Sequence, residues 1–254
     1  MKIVLTNDDG IESPGLAALY ESLSAVGDVT AVAPAEDMSA TGRALSREVV
    51  VDGHEYGYAV RGTPSDCVVA ALEALVPDAD LVVSGCNRGG NLGMYVLGRS
   101  GTVSAAVESA FFDVPAISVS LALTSADFES GETPKADYAE AAAVTRYLVE
   151  HTLDSGVFER ADYLNVNAPR PGTETGDIAV TRPTHGYEMH VERAGERLRL
   201  HDEMWERIDR GIVANEPDDS DLRAVVEGET SVSPLTAPHT TEHHEILDHL
   251  AADY

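Results

Sequence analysis

Asn7-Asp8-Asp9-Gly10 sets two adjacent carboxylates directly after the apolar run Ile3-Val4-Leu5. Neighbouring carboxylates repel unless something neutralises them, and a hard divalent cation such as Mg²⁺ or Mn²⁺ does so because it prefers oxygen ligands. The same tetrapeptide also reads as an ordinary turn, since turns favour Asn, Asp and Gly. Further on, Ala33-Pro34 leads into a loop carrying Ser39, and a glycine-rich stretch runs from Gly85 to Gly101. Ser100-Gly101-Thr102 sits at the start of a helical pattern. Glycines let backbone N–H groups turn toward an anion, and a helix N-terminus adds a favourable dipole. The stretch reads as a phosphate cradle without a Walker lysine, or as a tight structural turn; it matches neither GxxxxGK[ST] nor GxGxxG.

These residues fall at the ends of expected strands. Lys2 to Thr6 reads as a buried strand, and Ser13-Pro14 as an N-cap with Pro at the first helical position. Leu16, Leu19, Tyr20 and Leu23 then repeat at i, i+3, i+4 and i+7, one apolar helix face. Val29 to Ala33 is a second strand, and residues 43–61 a hairpin turning at Asp52-Gly53. Thr63-Pro64-Ser65-Asp66 opens a helix, and Leu81-Val82-Val83 is a short strand of the kind covered on both faces. A helix from about Thr102 to Phe112, a strand from Ala116 to Leu121, a helix from Asp137 to Glu150 and a strand from Tyr163 to Val166 follow. This alternation predicts an α/β fold, a Rossmann-like, doubly wound, mostly parallel sheet, over residues 1–170. Residues 171–254 read as a smaller β-rich C-terminal extension, an oligomerisation arm and tail. Within it we expect an acidic loop over 216–222, a strand from Thr230 to Val232 and a final helix from His239 to Leu250.

The composition narrows the partners. The chain has 254 residues, with 17 Lys and Arg against 44 Asp and Glu, for a net charge of −27. Such a surface does not bind nucleic acid through its phosphates, nor an anionic membrane. Lys2 and Lys135 are the only lysines. An excess of acid this large repels itself in dilute salt and is screened in concentrated salt, which reads as a halophilic chain or as an acidic cytosolic protein. Two cysteines, Cys67 and Cys86, make no disulfide framework, and no run is long and apolar enough for a membrane span, so a cytoplasmic location is expected.

Taken together, several segments resemble the SurE family, metal-dependent 5′/3′-nucleotidases. They are Asn7-Asp8-Asp9-Gly10, Pro14-Gly15, Val32-Ala33-Pro34, Gly62-Thr63-Pro64 with Asp66-Cys67-Val68, Ser84-Gly85 with Asn87, Gly89, Asn91 and Gly93, and Ser100-Gly101-Thr102-Val103. They keep order and approximate spacing over about the first 120 residues, with a looser match at Ser231 to Leu235. The resemblance implies metal ligands at Asp8, Asp9, Ser39 and Asn87, with Asp8 and Asp9 as the catalytic carboxylates. It implies substrate phosphate near Asn91, Ser100, Gly101 and Thr102. The implied reaction is hydrolysis of nucleoside monophosphates to nucleoside and phosphate, by attack of a water activated by one divalent cation (Mg or Mn) per subunit. A homodimer or homotetramer is the implied assembly. A nucleotide-binding or sensing module without turnover is the alternative on the same fold.

Departures from the family pattern cluster in one loop. Gly93-Met94-Tyr95-Val96-Leu97-Gly98-Arg99-Ser100 is about one residue longer than usual, Arg99 stands where Tyr is common, and Gly90 replaces a usual proline. Arg88 and Arg99 read either as anion contacts or as exposed loop arginines. His244-Glu245-Ile246-Leu247-Asp248-His249 is one residue too long for a zinc-protease helix, and Asp218 to Asp221 lacks the glycine and bidentate Glu of a calcium loop. Trp205 and Tyr187, in the arm, are expected at a subunit interface or against a base.

Overall fold

The computed structural model describes residues 1–131, 133–187 and 189–237. The chain runs through β1 (Lys2–Thr6), α1 (Pro14–Leu23), β2 (Asp28–Pro34), β3 (Val50–His54), β4 (Gly57–Arg61), α2 (Pro64–Ala70) and β5 (Leu81–Arg88). It continues with the short α3 (Met94–Leu97), α4 (Gly101–Ala110), β6 (Ala116–Leu121), α5 (Ser125–Glu129), α6 (Ala139–Thr152) and β7 (Tyr163–Ala168). The C-terminal part holds β8 (Ile178–Val180), β9 (Met189–Ala194), β10 (Arg197–Asp202), α7 (Glu203–Arg210), α8 (Asp221–Val226) and β11 (Thr230–Leu235).

Among the described residues, nine strands form one sheet in the order β3-β4-β2-β1-β5-β6-β7-β11-β8. From β2 to β7 the neighbours β2·β1, β1·β5, β5·β6 and β6·β7 are all parallel. Side chains of β1 alternate between two cores, as a strand's period of two requires. Ile3 and Leu5 pack with Leu16, Leu19 and Leu148 of α1 and α6, whereas Val4 packs with Val68 and Val103 of α2 and α4. Helices therefore cover both faces, and a strand buried on both faces reads as a continuous apolar run. Local signals start the helices where the sequence places them. Ser13 Oγ accepts the Leu16 N–H ahead of Pro14, and Thr63 and Asp66 form a reciprocal capping box at α2.

Three local features differ from the sequence expectation. The hairpin turns at Glu55-Tyr56, because His54 pairs with Gly57 and Asp52 with Ala59. Asp52 and Gly53 thus sit in the edge strand β3, where a Cβ at Gly53 would meet only open space, so no close packing depends on this position. Strand β5 extends beyond Val83 to Arg88 with an irregularity between Ser84 and Asn87, which carries Asn87 into the sheet. The acidic stretch ends sooner than expected: Ser220 caps α8, so Asp221 and Leu222 are helical. In the C-terminal part, β11 joins the main sheet antiparallel to β7 and parallel to β8, while β9 and β10 form a separate hairpin. The expected helix from His239 to Leu250, with its His-Glu motif, lies outside the described residues.

The order of the main sheet reverses direction between β1 and β5: the chain moves outward to β2 from one and to β6 and β7 from the other. Ligands of open α/β sheets bind beyond the carboxyl ends of the strands at such a switch point. Asp8 and Asp9 follow β1 there, and Asn87 lies near the end of β5.

Candidate functional site

Three chain segments converge on the turn that carries Asp8 and Asp9. The Asp8 carbonyl accepts the Met38 N–H at 2.7 Å, which lays the loop after β2 against it. Asp8 Oδ1 accepts the Thr102 hydroxyl at 2.6 Å, and Asp9 Oδ2 accepts the Arg88 N–H at 2.9 Å. Asn7 braces the turn from within, its Nδ2 donating to the Gly10 carbonyl and to Ser13 Oγ. Gly101 packs so tightly on this group that an added Cβ would stand 2.8 Å from both Cβ and Oδ2 of Asp8. A glycine there is a requirement of close approach, not of backbone angle.

The electrostatics are those of crowded negative charge. Asp8 is buried and Asp9 nearly so. Burial pushes the Asp8 carboxyl up from its ordinary value against the opposing Thr102 hydrogen bond. Burial, and then the charge of Asp8, pushes Asp9 up to about 7. Asp37 adds repulsion to both. Among the described residues, no Lys, Arg or His side chain forms an ion pair with either carboxylate.

That surplus fits a bound cation. The ligands that the family resemblance implies are all oxygens, from two carboxylates, the Ser39 hydroxyl and the Asn87 amide, a set suited to a hard divalent ion. Among the described residues no three His, Cys, Asp or Glu side chains gather as a metal site, so a cation held here would need neutral oxygens besides the two carboxylates. Ser39 is exposed, and both its N–H and its hydroxyl donate to Asp37 Oδ1. Asn87 Nδ2 donates to the Gly89 carbonyl at 2.6 Å, which fixes the amide with its oxygen turned to the other side.

The residues expected near phosphate divide by what their side chains touch. Ser100 caps α4, its Oγ accepting the Val103 N–H at 3.1 Å. The first turn of α4 thereby presents its other N–H groups at the Asp8 end of the helix. Thr102 spends its hydroxyl on Asp8, and Asn91 Nδ2 donates to Ser120 Oγ at 2.8 Å. Of the two open arginines, Arg88 donates to Thr133 Oγ1 and lies over the Phe128 ring. Arg99 lies over Tyr95 and Tyr187 and donates to the Tyr187 hydroxyl at 3.3 Å. Trp205 meets Phe128 edge-on, and Tyr187 meets Tyr95 the same way. A cavity of about 520 Å³ opens beside Asp9, lined by Glu12, Ser13, Pro14, Arg88, Thr133 and Tyr138.

Sequence reasoning missed Asp37, whose signal was Asp-x-Ser, a carboxylate two residues ahead of a hydroxyl and an N–H that it can accept from. It also missed the role of Asp221, whose partner Gly93 is 128 positions away, a separation that leaves no local signal.

Comparison with known proteins bears on this geometry. The model of the family "Survival protein SurE" matches residues 3–190. The 5′-nucleotidase SurE of Haloarcula marismortui is 62% identical over 99% of this chain and 94% of its own length. That of Halobacterium salinarum is 57% identical over 100% of this chain and 98% of its own. Among solved structures, the SurE protein of Aquifex aeolicus superposes with a TM-score of 0.80 at 29% identity, covering 99% of both chains.

Proposed function

The chain belongs to the SurE family, and from that premise we propose that it is a 5′-nucleotidase that hydrolyses nucleoside monophosphates to nucleoside and phosphate. The reading includes one divalent cation, Mg²⁺ or Mn²⁺, held by Asp8, Asp9, Ser39 and Asn87. When bound, such a cation polarises a phosphoryl oxygen and lowers the pKa of water. The observation that carries the reading is the pair of adjacent carboxylates, Asp8 buried and Asp9 half-buried, with no cationic side chain paired to them among the described residues, met by three segments at the switch point of the sheet.

The chain's own residues then have distinct tasks. Asp8 is held in one orientation by the Thr102 hydroxyl and the Gly101 backbone, and Asp9 by the Arg88 N–H. Ser39 and Asn87 would supply oxygen to the cation without adding charge, which would leave the site able to take a dianionic phosphate. The N-terminal turn of α4 offers N–H donors to that phosphate, and donors already fixed in place stabilise charge in the transition state at no cost in reorganisation. In the reaction water oxygen bonds to phosphorus, the P–O bond to the sugar breaks, and the leaving oxygen takes a proton.

Three further readings accompany this one. Assembly into a homodimer or homotetramer is supported by exposed apolar side chains on the arm, Val180, Val191, Leu198 and Leu200. A cytoplasmic location is supported by two buried free thiols, and among the described residues no helix is long and apolar enough to cross a membrane. Work at high salt is supported by the net charge of −27. The test of function is phosphate release from a panel of nucleoside monophosphates, with wild type against Asp8→Asn. We expect release by wild type and loss of about a thousandfold or more in the variant, the scale of several kcal/mol of lost transition-state stabilisation. Equal rates would refute the assignment of Asp8.

A further inference from the structure

The C-terminal part reaches back to the glycine-rich segment after β5 through one carboxylate. Asp221, the first residue of α8, is fully buried. Its Oδ2 accepts the Gly93 N–H at 2.8 Å, and its Oδ1 accepts the N–H groups of Thr184 and Leu222 at 2.9 and 2.7 Å. The Thr184 carbonyl in turn accepts the Met94 N–H at 2.9 Å. Gly93 has a φ of +82°, and a Cβ there would press on Thr184 Cγ2 at 3.1 Å and Met204 Cε at 3.3 Å. Leu92, one residue earlier, packs with Met204, Leu222 and Val225.

The other side of the segment is bound to the sheet. The Asn91 N–H donates to Asn167 Oδ1 at 2.7 Å, and its carbonyl accepts Asn165 Nδ2 at 2.9 Å and Asn167 Nδ2 at 3.2 Å. Residues 91–94 are therefore clamped between buried asparagines of β7 and the C-terminal carboxylate. Burying a carboxylate is costly when no cation faces it, and among the described residues no ion pair involves Asp221. What the carboxylate provides is acceptor capacity: two oxygens take three N–H groups from three chain segments, which an amide of the same shape cannot do.

We propose that Asp221 is a positioning residue for the glycine-rich segment Asn91–Gly93, whose Asn91 the family resemblance sets near the substrate phosphate, making the C-terminal part a working component of the site. The proposal rests on the nucleotidase reading above. Asp221 does not touch the substrate; it keeps the segment in the arrangement that receives phosphate. If its loss cuts the population of that arrangement to about a tenth, apparent affinity falls about tenfold while turnover of bound substrate changes little.

The test compares Asp221→Asn with Ser220→Ala. The latter removes the cap of the same helix, where Ser220 Oγ accepts the Arg223 N–H, and leaves the Gly93 bond in place. For Asp221→Asn we expect KM for AMP to rise about tenfold with kcat within about threefold, and amide exchange at Gly93 and Met94 to quicken about tenfold or more. Ser220→Ala is expected to lose stability with KM and Gly93 exchange as in wild type. Wild-type KM and Gly93 protection in Asp221→Asn would overturn the proposal, as would equal KM changes in the two variants. Should Asp221→Asn fail to fold, Asp221→Glu, which keeps the acceptors but displaces them by a methylene, is expected to show an intermediate KM; wild-type KM and Gly93 protection there would overturn it. A wild type that binds AMP without hydrolysing it defeats the nucleotidase reading alone, and the Kd for AMP then takes the place of KM in the same comparison.

Discussion

Replacing Gly101 with Ala separates the stability of the fold from the geometry of the site. The residue opens α4 and needs no unusual backbone angle, so Ala is locally welcome there, by up to about 1 kcal/mol in helix propensity. The added methyl group, however, stands 2.8 Å from Cβ and Oδ2 of Asp8. Comfortable carbon contacts begin near 3.5 Å, so one partner must retreat by roughly 0.7 Å. Asp8 is not free to do so quietly: its Oδ1 holds the Thr102 hydroxyl and its carbonyl holds the Met38 N–H. Overpacking of this kind costs about 1–3 kcal/mol, against which the propensity gain leaves a net loss of about 0–2 kcal/mol. A displacement approaching 1 Å at a reacting group costs on the order of a hundredfold in rate. Thermal melts and initial rates of phosphate release on the same preparation should therefore show a melting point lower by only a few degrees and kcat/KM lower by about a hundredfold. A folded Gly101→Ala protein with activity within threefold of wild type would refute the claim that Asp8 is held by close packing on α4.

Three more outcomes follow from the same structure. Thr102→Val keeps the shape of a fully buried side chain but deletes the hydroxyl that orients Asp8, so Mn²⁺ affinity should fall about 10- to 100-fold and recover in Thr102→Ser; unchanged Mn²⁺ titrations would count against that role. With a net charge of −27 and an anionic substrate, the rate at nonsaturating AMP should rise from low salt toward molar salt, and a steady decline would contradict the salt-adapted reading. Burial pushes Asp221 up to about 6 from 3.8, so the folded chain holds this proton more tightly than the unfolded one. The group's contribution to stability is then fully present below about pH 4 and withdrawn by about 3 kcal/mol as pH rises through 6. Denaturant unfolding of wild type relative to Asp221→Asn should shift by that order toward the variant between pH 4 and pH 7, and a constant difference would refute it.

Much of this fold was legible because its signals are local. Ile3-Val4-Leu5 is buried on both faces, and Ser13-Pro14 and Thr63-Pro64-Ser65-Asp66 carry the caps that start two helices. Asp8 and Asp9 stood out because two adjacent carboxylates after such a strand call for a counter-charge. The hairpin misled because Asp52-Gly53 has the chemistry of a turn, yet an edge strand accepts it while register puts the turn at Glu55-Tyr56. That Asn87 lies within β5 was hidden by polar residues in a strand whose apolar signal ends at Val83. The family resemblance sets Thr102 and Asn91 near phosphate, but nothing local in the sequence shows the partners of their side chains, Asp8 and Ser120. Asp221 was least legible of all: in sequence it belongs to an acidic run, and only the folding of α8 against the glycine-rich segment gives it work.

The most direct measurement of the central claim is phosphate release from AMP by metal-stripped protein, before and after adding back Mn²⁺ or Mg²⁺, in low and in molar salt. The account predicts no release from the stripped wild type, recovery on adding metal, and no recovery in Asp8→Asn. Undiminished release after chelation, or none from folded, metal-loaded wild type at either salt, would contradict it.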